Sequence, residues 1–154
     1  MKHLTALLLA AAALPLQAAE LPNPTALDAQ QARIYFGTLK QLNGVSILNP
    51  KETFSRSKGD RFCWLAENLP NGMLEVREHH RTEKPSQLVH PQLKINSSPD
   101  QTEHTAVYPL TEFTPQTQRS QCWSLDKTDP IGRYTLTVQI GETQFQPWQF
   151  EVVE

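Results

Sequence analysis

Hydrophobic and polar residues alternate with a period of two along the last third of the chain. Leu136, Val138 and Ile140 fall on one face of a strand, and the residues between them are polar. Residues 144–153 return with the same alternation, although Pro147 requires a bulge or an edge position because proline cannot donate to a ladder. The pattern predicts two half-buried β-strands.

Similar alternation predicts further short strands upstream. They cover residues 61–66, 73–78, 105–110 and 120–125. Turn-forming residues at 68–72 predict that 61–79 form a hairpin. Residues 81–101 are polar and rich in proline, which predicts a loop with at most a short strand around Leu93 and Ile95. Short strands separated by turns are typical of a sandwich or barrel.

Residues 25–42 allow two interpretations. Thr25 with Asp28 could begin a helix as a capping pair. Residues 33–38 alternate instead, with Ile34 and Phe36 on one face, which indicates a strand. We favour a first strand here and keep the helix as the alternative.

The chain begins with an export signal. Lys2 precedes an apolar run at residues 4–16, and the small residues Ala18 and Ala19 follow. The run is too short to span a bilayer comfortably, so a retained anchor is the weaker alternative. We therefore expect three parts: a signal peptide at residues 1–19, a linker at 20–30 and one domain at 31–154.

Composition narrows the possible partners. The sequence has 14 Lys and Arg against 16 Asp and Glu, a net charge of −2, and losing Lys2 with the signal makes it −3. This balance argues against binding to nucleic acid or to an anionic membrane surface. No later segment is apolar enough for a stable membrane anchor. The alanine-rich signal predicts a bacterial protein in the periplasm, with secretion to the medium as the alternative.

The only two cysteines, Cys63 and Cys122, are expected to form a disulfide in that oxidising compartment. Each is followed by a tryptophan, so each thiol lies on the strand face opposite Trp64 or Trp123. If the rings point into the core, the bridge requires neighbouring strands of one sheet, because its Cα atoms must lie within about 7 Å. A disulfide inside the core with outward tryptophans is the alternative, and a catalytic or metal-binding pair is weaker.

The inward faces of the predicted strands give a candidate core. Its members are Phe62, Trp64, Trp123, Tyr134, Leu136, Val138, Trp148 and Phe150. Phe145 and Trp148 are three positions apart, so on a regular strand their rings would point to opposite faces. A bulge that places both rings in the core is favoured over an exposed ring that serves as a docking edge for a partner strand.

Five residues could contribute to a copper or zinc site: Glu78, His79, His80, His90 and His104. His79 and His80 are adjacent on a strand and point to opposite faces, so the metal candidates are His80 with His90 or His104. The favoured alternative is a solvated strand end beside a polar loop. We expect no cofactor.

Catalytic chemistry has little support in the sequence. It contains no Gly-x-Ser-x-Gly motif. Asp126 and Asp129 form a carboxylate pair, but Asp129 is better explained as a turn residue whose side chain binds backbone N–H groups. We therefore expect a protein that is not an enzyme.

The sequence Asp129-x-x-Gly132-x-Tyr134-x-Leu136-x-Val138 resembles the approach to the sixth strand of immunoglobulin-like domains, where a corner tyrosine precedes an inward residue. Leu136 stands where a true immunoglobulin domain has its second cysteine, which departs from that pattern.

The layout of residues 32–153 also resembles a family of small, uncharacterised exported bacterial proteins with an immunoglobulin-like β-sandwich. The shared motifs are Phe36-Gly37, Gly59-x-x-Phe62, Trp123, Pro130-x-Gly132-x-Tyr134 and Phe150-x-Val152. The resemblance implies an all-β, antiparallel sandwich of about seven strands and carries no catalytic residue.

We therefore expect an exported, non-catalytic module for protein interaction, or one with an accessory or structural role, whose partner the sequence does not identify. A periplasmic copper- or zinc-binding protein that uses surface histidines is the alternative. An enzyme with a site that the sequence does not reveal is the third hypothesis.

Overall fold

The computed structural model describes residues 32–43, 45–70, 72–110 and 118–154, which form strands, turns and loops. The strands are β1 (Arg33–Leu42), β2 (Val45–Asn49), β3 (Thr53–Ser55), β4 (Arg61–Glu67), β5 (Leu74–Thr82), β6 (Lys94–Ser97), β7 (Glu103–Leu110), β8 (Arg119–Ser124), β9 (Gly132–Ile140), β10 (Thr143–Gln144) and β11 (Trp148–Val153). The predicted signal peptide, the predicted linker and the start of the possible helix at 25–42 lie outside the described residues. Within the described ranges, no helix is long and apolar enough to cross a membrane.

The strands form two sheets that enclose one core. The smaller sheet has the order β2-β1-β4-β8, and the larger has the order β3-β11-β9-β5-β7-β6, with β10 paired to β9. The expectation of about seven strands was too low, because eleven are present in the described residues. The expectation of a wholly antiparallel fold was wrong at one pair, since β3 and β11 run parallel.

The alternation of polar and apolar residues located the main strands correctly. β1 confirms the strand interpretation for residues 33–38, and β6 is the short strand expected near Ile95. The predicted hairpin at 61–79 was wrong, because β4 and β5 belong to different sheets. Asn68 and Gly72 do adopt the positive φ angles of a chain reversal. The reversal carries the chain across the core because both strands present an apolar face to it.

β1 changes its partner at Gly37. Residues before Thr38 pair with β4, whereas Thr38 to Leu42 pair with β2. Gly37 has a φ of 156°, and a Cβ at this position would lie 2.0 Å from the carbonyl oxygen of Asn49. The strand can therefore make this transition only with glycine at the crossing point.

The C-terminal strand is interrupted where proline was expected to disturb it. β10 ends at Gln144 and β11 begins at Trp148, so Pro147 lies between two strands. Phe145 and Trp148 are both partly buried and pack against the core. This arrangement agrees with the bulge interpretation for the two rings.

The core is rich in aromatic residues. Seven of the eight predicted core residues are buried, and Trp148 is half-buried. Trp148 stacks on Phe36 with ring centroids 5.2 Å apart, and Phe150 packs at 4.9 Å from Phe62. Rings from both sheets therefore meet across the core.

Cys63 and Cys122 form the expected disulfide. They lie directly opposite each other on the neighbouring strands β4 and β8, with Cα atoms 4.1 Å apart. Trp64 and Trp123 are buried in the core on the other face of these strands. This geometry confirms a bridge within one sheet and excludes the alternative of a core disulfide with outward tryptophans. Cys63 is nevertheless only 1% exposed, so this face of β4 is also shielded from solvent.

Candidate functional site

Glu78 lies on the inward face of β5 and is completely buried. One of its oxygens accepts hydrogen bonds from the indole N–H of Trp64, at 2.9 Å, and from the Tyr108 hydroxyl. The other accepts from the indole N–H of Trp123, at 2.6 Å, and from Nε2 of His80, at 2.9 Å. Four donors therefore converge on one buried carboxylate, which compensates for its loss of water.

These contacts shift the protonation equilibria of the cluster. Burial raises the pKa of Glu78, but the hydrogen bond and charge of His80, with hydrogen bonds from Tyr108 and Trp64, outweigh it and hold the pKa below its usual value. Burial and the neighbouring carboxylate raise the pKa of Tyr108 well above its usual value. Glu78 therefore stays ionised and Tyr108 stays protonated at neutral pH.

His80 connects this buried cluster to a pocket. Its side chain is 5% exposed, and its ring meets Trp123 edge-to-face with centroids 4.8 Å apart. Because Nε2 is bound to Glu78, Nδ1 is the remaining polar atom of the ring. Nδ1 has no hydrogen-bond partner within the part of the chain that the structure describes. His80 lines the pocket, and Nδ1 is the ring nitrogen that remains for a ligand.

The pocket has a volume of about 480 Å³ and lies between the loop after β5 and the end of β8. Its buried residues, which we call the floor, are Phe62, His80, Thr82, Ser86, His104, Trp123, Leu125 and Tyr134. Its more exposed residues, which we call the rim, include Leu88, Val89, His90, Asp126 and Asp129. This volume is in the range of sites that hold a small molecule or a partner's side chain.

His104 lies opposite His80 on the paired strand β7 and is 1% exposed. Its Nε2 is 2.8 Å from the Ser86 hydroxyl, and its Nδ1 is 2.7 Å from the Ser97 hydroxyl. Burial, followed by the neighbouring charge of His80, lowers the pKa of His104. His104 thus connects the loop after β5 to the sheet by hydrogen bonds, and both of its ring nitrogens have hydrogen-bond partners.

The three metal candidates come together only in part. His80 and His104 face the same interior, and His90 contacts the ring of Trp123 at 5.6 Å, while its Nδ1 accepts a hydrogen bond from the Gln92 N–H. The description of these histidines as a solvated strand end was wrong for His80 and His104, which are buried. Residues 32–43, 45–70, 72–110 and 118–154 contain no group of three or more His, Cys, Asp or Glu positioned to hold a metal ion.

Two carboxylates lie on the rim. Asp129 accepts a hydrogen bond from the backbone N–H of Asp126 at 2.7 Å, which is the turn role predicted for it. Asp126 in turn accepts from the hydroxyl and the backbone N–H of Thr128. These bonds lower the pKa of Asp126, whereas burial raises that of Asp129. The residues that line the pocket include no Lys or Arg.

Glu78 is the central residue that sequence reasoning did not single out as buried. The alternation that places Leu74 and Val76 inward also places Glu78 and His80 inward, and this parity could have identified both. A charged residue on a core face is a sign of a buried network, because burial is tolerated only when its hydrogen bonds are supplied.

Comparisons with known proteins give a family match and a solved structure of low similarity. No curated protein matches the sequence. The alkylpurine DNA glycosylase AlkC of Pseudomonas fluorescens, solved bound to DNA with an abasic site analog, is 10% identical with a TM-score of 0.38. The match covers 79% of this chain and 30% of that chain. Residues 34–153 match the PM0630 beta sandwich domain, and the protein therefore belongs to that family.

Proposed function

We propose that the mature protein is an exported, non-catalytic interaction module that engages a partner protein at the pocket described above. The observation that carries this proposal is the free Nδ1 of His80 on the floor of a pocket of about 480 Å³. Nδ1 has no hydrogen-bond partner among the described residues, so a ligand that donates to it gains a hydrogen bond to a site held in place by Glu78. Val89 on the rim is 79% exposed and offers apolar surface to a partner.

Export to the periplasm, or secretion, is supported by two features. The first residues have the pattern of a signal peptide, and Cys63 with Cys122 form a disulfide of the kind that persists in oxidising compartments. Intact mass measurement of protein from the periplasmic fraction should give a chain that starts at Ala19 or Glu20. A chain that retains Met1 or stays in the cytoplasm would contradict export.

The immunoglobulin-like assignment is supported by Tyr134. Its hydroxyl donates to the carbonyl oxygen of Pro130 at 2.8 Å, four residues upstream. A tyrosine that binds the backbone shortly before its own strand is the corner feature of immunoglobulin-like sandwiches. We include this finer fold class in the proposal.

A non-catalytic role is supported by the hydrogen bonds of the floor. Ser86 and His104 have the spacing of a nucleophile and its base, but Nδ1 of His104 meets the Ser97 hydroxyl where a catalytic triad has a carboxylate. The Ser86 hydroxyl also lies 3.1 Å from that of Thr82. We therefore expect a fluorophosphonate probe to leave Ser86 unlabelled, and covalent labelling there would contradict the proposal.

Photo-crosslinking in the producing cell tests the interaction. A photoreactive amino acid at Val89 should give a discrete crosslink to another protein. The matched control is the same amino acid at Met73, which is 78% exposed and lies outside the pocket. Equal crosslinks from both positions, or none from Val89, would contradict partner binding at the pocket.

The alternative function is copper or zinc binding, and one observation favours it. A carboxylate that fixes one ring nitrogen of a histidine, as Glu78 does for His80, is the usual support for a metal ligand. Titration with Cu²⁺ and Zn²⁺ should then show an affinity that falls when His80 is replaced by alanine. Unchanged affinity would exclude a site at His80.

A further inference from the structure

The lining of the pocket carries negative charge in either protonation state of His80. The lining includes the carboxylates of Asp126 and Asp129 and no Lys or Arg. Glu78 beneath the floor and His80 in the floor together contribute no net charge if the imidazole is protonated and one negative charge if it is neutral. Arg56 donates to the carbonyl oxygen of Asp129, but its guanidinium is paired with Glu154. With the other imidazoles neutral, the lining is therefore negative in both cases, and a negative cleft attracts cations.

The buried floor supplies a hydrogen-bond acceptor. The amine requires the neutral imidazole, in which donation from Nε2 to Glu78 leaves Nδ1 as a lone-pair acceptor, because in the charged imidazole Nδ1 is a donor. The side chain is 5% exposed, so few waters can reach it. A ligand that donates a hydrogen bond to Nδ1 satisfies this atom, and a cationic donor also places a positive charge near the Glu78 carboxylate.

The walls suit an alkyl chain. Phe62, Trp123 and Tyr134 present aromatic surface, and Leu88 and Leu125 present aliphatic surface. Aromatic faces attract cations, and apolar walls hold the methylene groups that precede a charged end. A guanidinium is wider and planar, whereas a primary ammonium is compact and can donate in three directions.

We propose that this pocket binds a protonated primary amine carried on an alkyl chain, which passes the Asp126 and Asp129 carboxylates and donates to Nδ1 of His80. Within the proposed function, which this part of the inference rests on, the amine is a lysine side chain of the partner protein. The amine site itself rests on the lining residues alone.

Titration of the disulfide-bonded mature protein tests the site. The probe is lysine blocked at both backbone ends, with its Nε-acetylated form as the control that lacks the charge and with n-butylamine as a free amine. We expect saturable binding of blocked lysine and n-butylamine, seen as a shift of the Trp123 indole N–H resonance, and binding at least tenfold weaker for the acetylated form. Equal binding of the acetylated form would overturn the proposal.

Variants locate the site. The double variant Asp126→Asn with Asp129→Asn should bind blocked lysine at least tenfold more weakly. The two amides can keep the turn hydrogen bonds but lack the negative charge of the carboxylates. The matched control is Asp100→Asn, since Asp100 also accepts hydrogen bonds in a turn but lies outside the pocket. His80→Gln should also weaken binding, and if that variant fails to fold, the aspartate pair decides. Unchanged affinity in the double variant would overturn the site.

The two proposals can fail separately. Binding of blocked lysine without a crosslink from Val89 would support the amine site and contradict the proposal that a partner protein binds at the pocket. A crosslink from Val89 without binding of blocked lysine would support a partner protein at the pocket and contradict the proposed amine site.

Discussion

At the scale of single residues, Glu78 joins the two sheets through its side chain. Trp64 and Trp123 belong to the four-stranded sheet, whereas Tyr108 and His80 belong to the same sheet as Glu78 itself. The carboxylate therefore fixes the distance and the register between the sheets across the core. A hydrophobic contact would lack this directionality.

Replacing Glu78 with glutamine should destabilise the fold by about 2–6 kcal/mol, because the amide NH₂ cannot accept from the two donors that share its oxygen and each orphaned buried donor costs about 1–3 kcal/mol. Urea unfolding followed by tryptophan fluorescence measures the change. Glu75→Gln on the same strand is the control, since the Glu75 side chain is 61% exposed. A loss below about 0.5 kcal/mol for Glu78→Gln would contradict a structural role for this network.

The sequence predicts which face a residue occupies better than it predicts the partners that meet it there. The alternation of side chains along each strand correctly placed the rings of Trp64 and Trp123 inward and the thiols on the other face. The same alternation of faces also places Glu78 inward. The four donors to Glu78 come from four different strands, and their convergence depends on how the sheets are assembled, which parity along one strand does not reveal.

At the scale of elements, Gly37 separates the two halves of β1. Gly37→Ala should destabilise the protein by roughly 1–3 kcal/mol more than Gly72→Ala, because an added methyl group would overlap the carbonyl oxygen of Asn49 and overpacking costs about that much. Both glycines have positive φ, but a Cβ at Gly72 meets nothing within 4 Å, so the comparison isolates the contact. Thermal unfolding gives the difference.

Hydrogen exchange adds a local test of the same change. In Gly37→Ala we expect amides in residues 38–42, which pair with β2, to exchange faster, while amides in β9 keep their protection. Equal stability of the Gly37→Ala and Gly72→Ala variants would show that β1 can shift away from Asn49 without cost.

At the scale of elements, the disulfide between β4 and β8 is the second feature that we expect to stabilise the fold. Cys63 and Cys122 are 59 residues apart, so breaking the bridge should cost about 4 kcal/mol on the loop-entropy account. The double variant Cys63→Ser with Cys122→Ser measures this loss by urea unfolding, and the reduced native protein is the matched control. A double variant as stable as the oxidised protein would contradict the expected contribution.

The connection between β4 and β5 shows where prediction of elements stops. Turn chemistry at Asn68 and Gly72 predicted the reversal, and both residues have positive φ. Whether the strands on either side pair in one sheet or face each other across the core depends on distant partners, here β8 for β4 and β9 for β5. The same turn residues are compatible with both outcomes, so the hairpin could not be excluded from the sequence.

At the scale of the whole molecule, buried titratable groups couple the fold to pH. The pKa of His104 is lowered from its ordinary value of 6.5, so the unfolded chain binds more protons just below pH 6.5 than the folded protein does. The pKa of Glu78 is lowered from 4.5, so its contribution is complete above pH 4.5 and is lost as the pH falls through its folded value. Stability should therefore fall in two windows on acidification.

Replacing His104 with glutamine separates these windows. The variant should be less stable at pH 7.5, because its amide cannot reproduce both serine contacts, but its free energy of unfolding should change less between pH 6.5 and 5 than that of the unmodified protein. Urea unfolding at a series of pH values gives both slopes. The window below pH 4.5, to which Glu78 contributes, should persist in the variant and serves as the internal control. An unchanged slope between pH 6.5 and 5 would show that His104 does not couple protonation to folding, and the first window would then have to come from other groups such as His79, whose pKa burial also lowers.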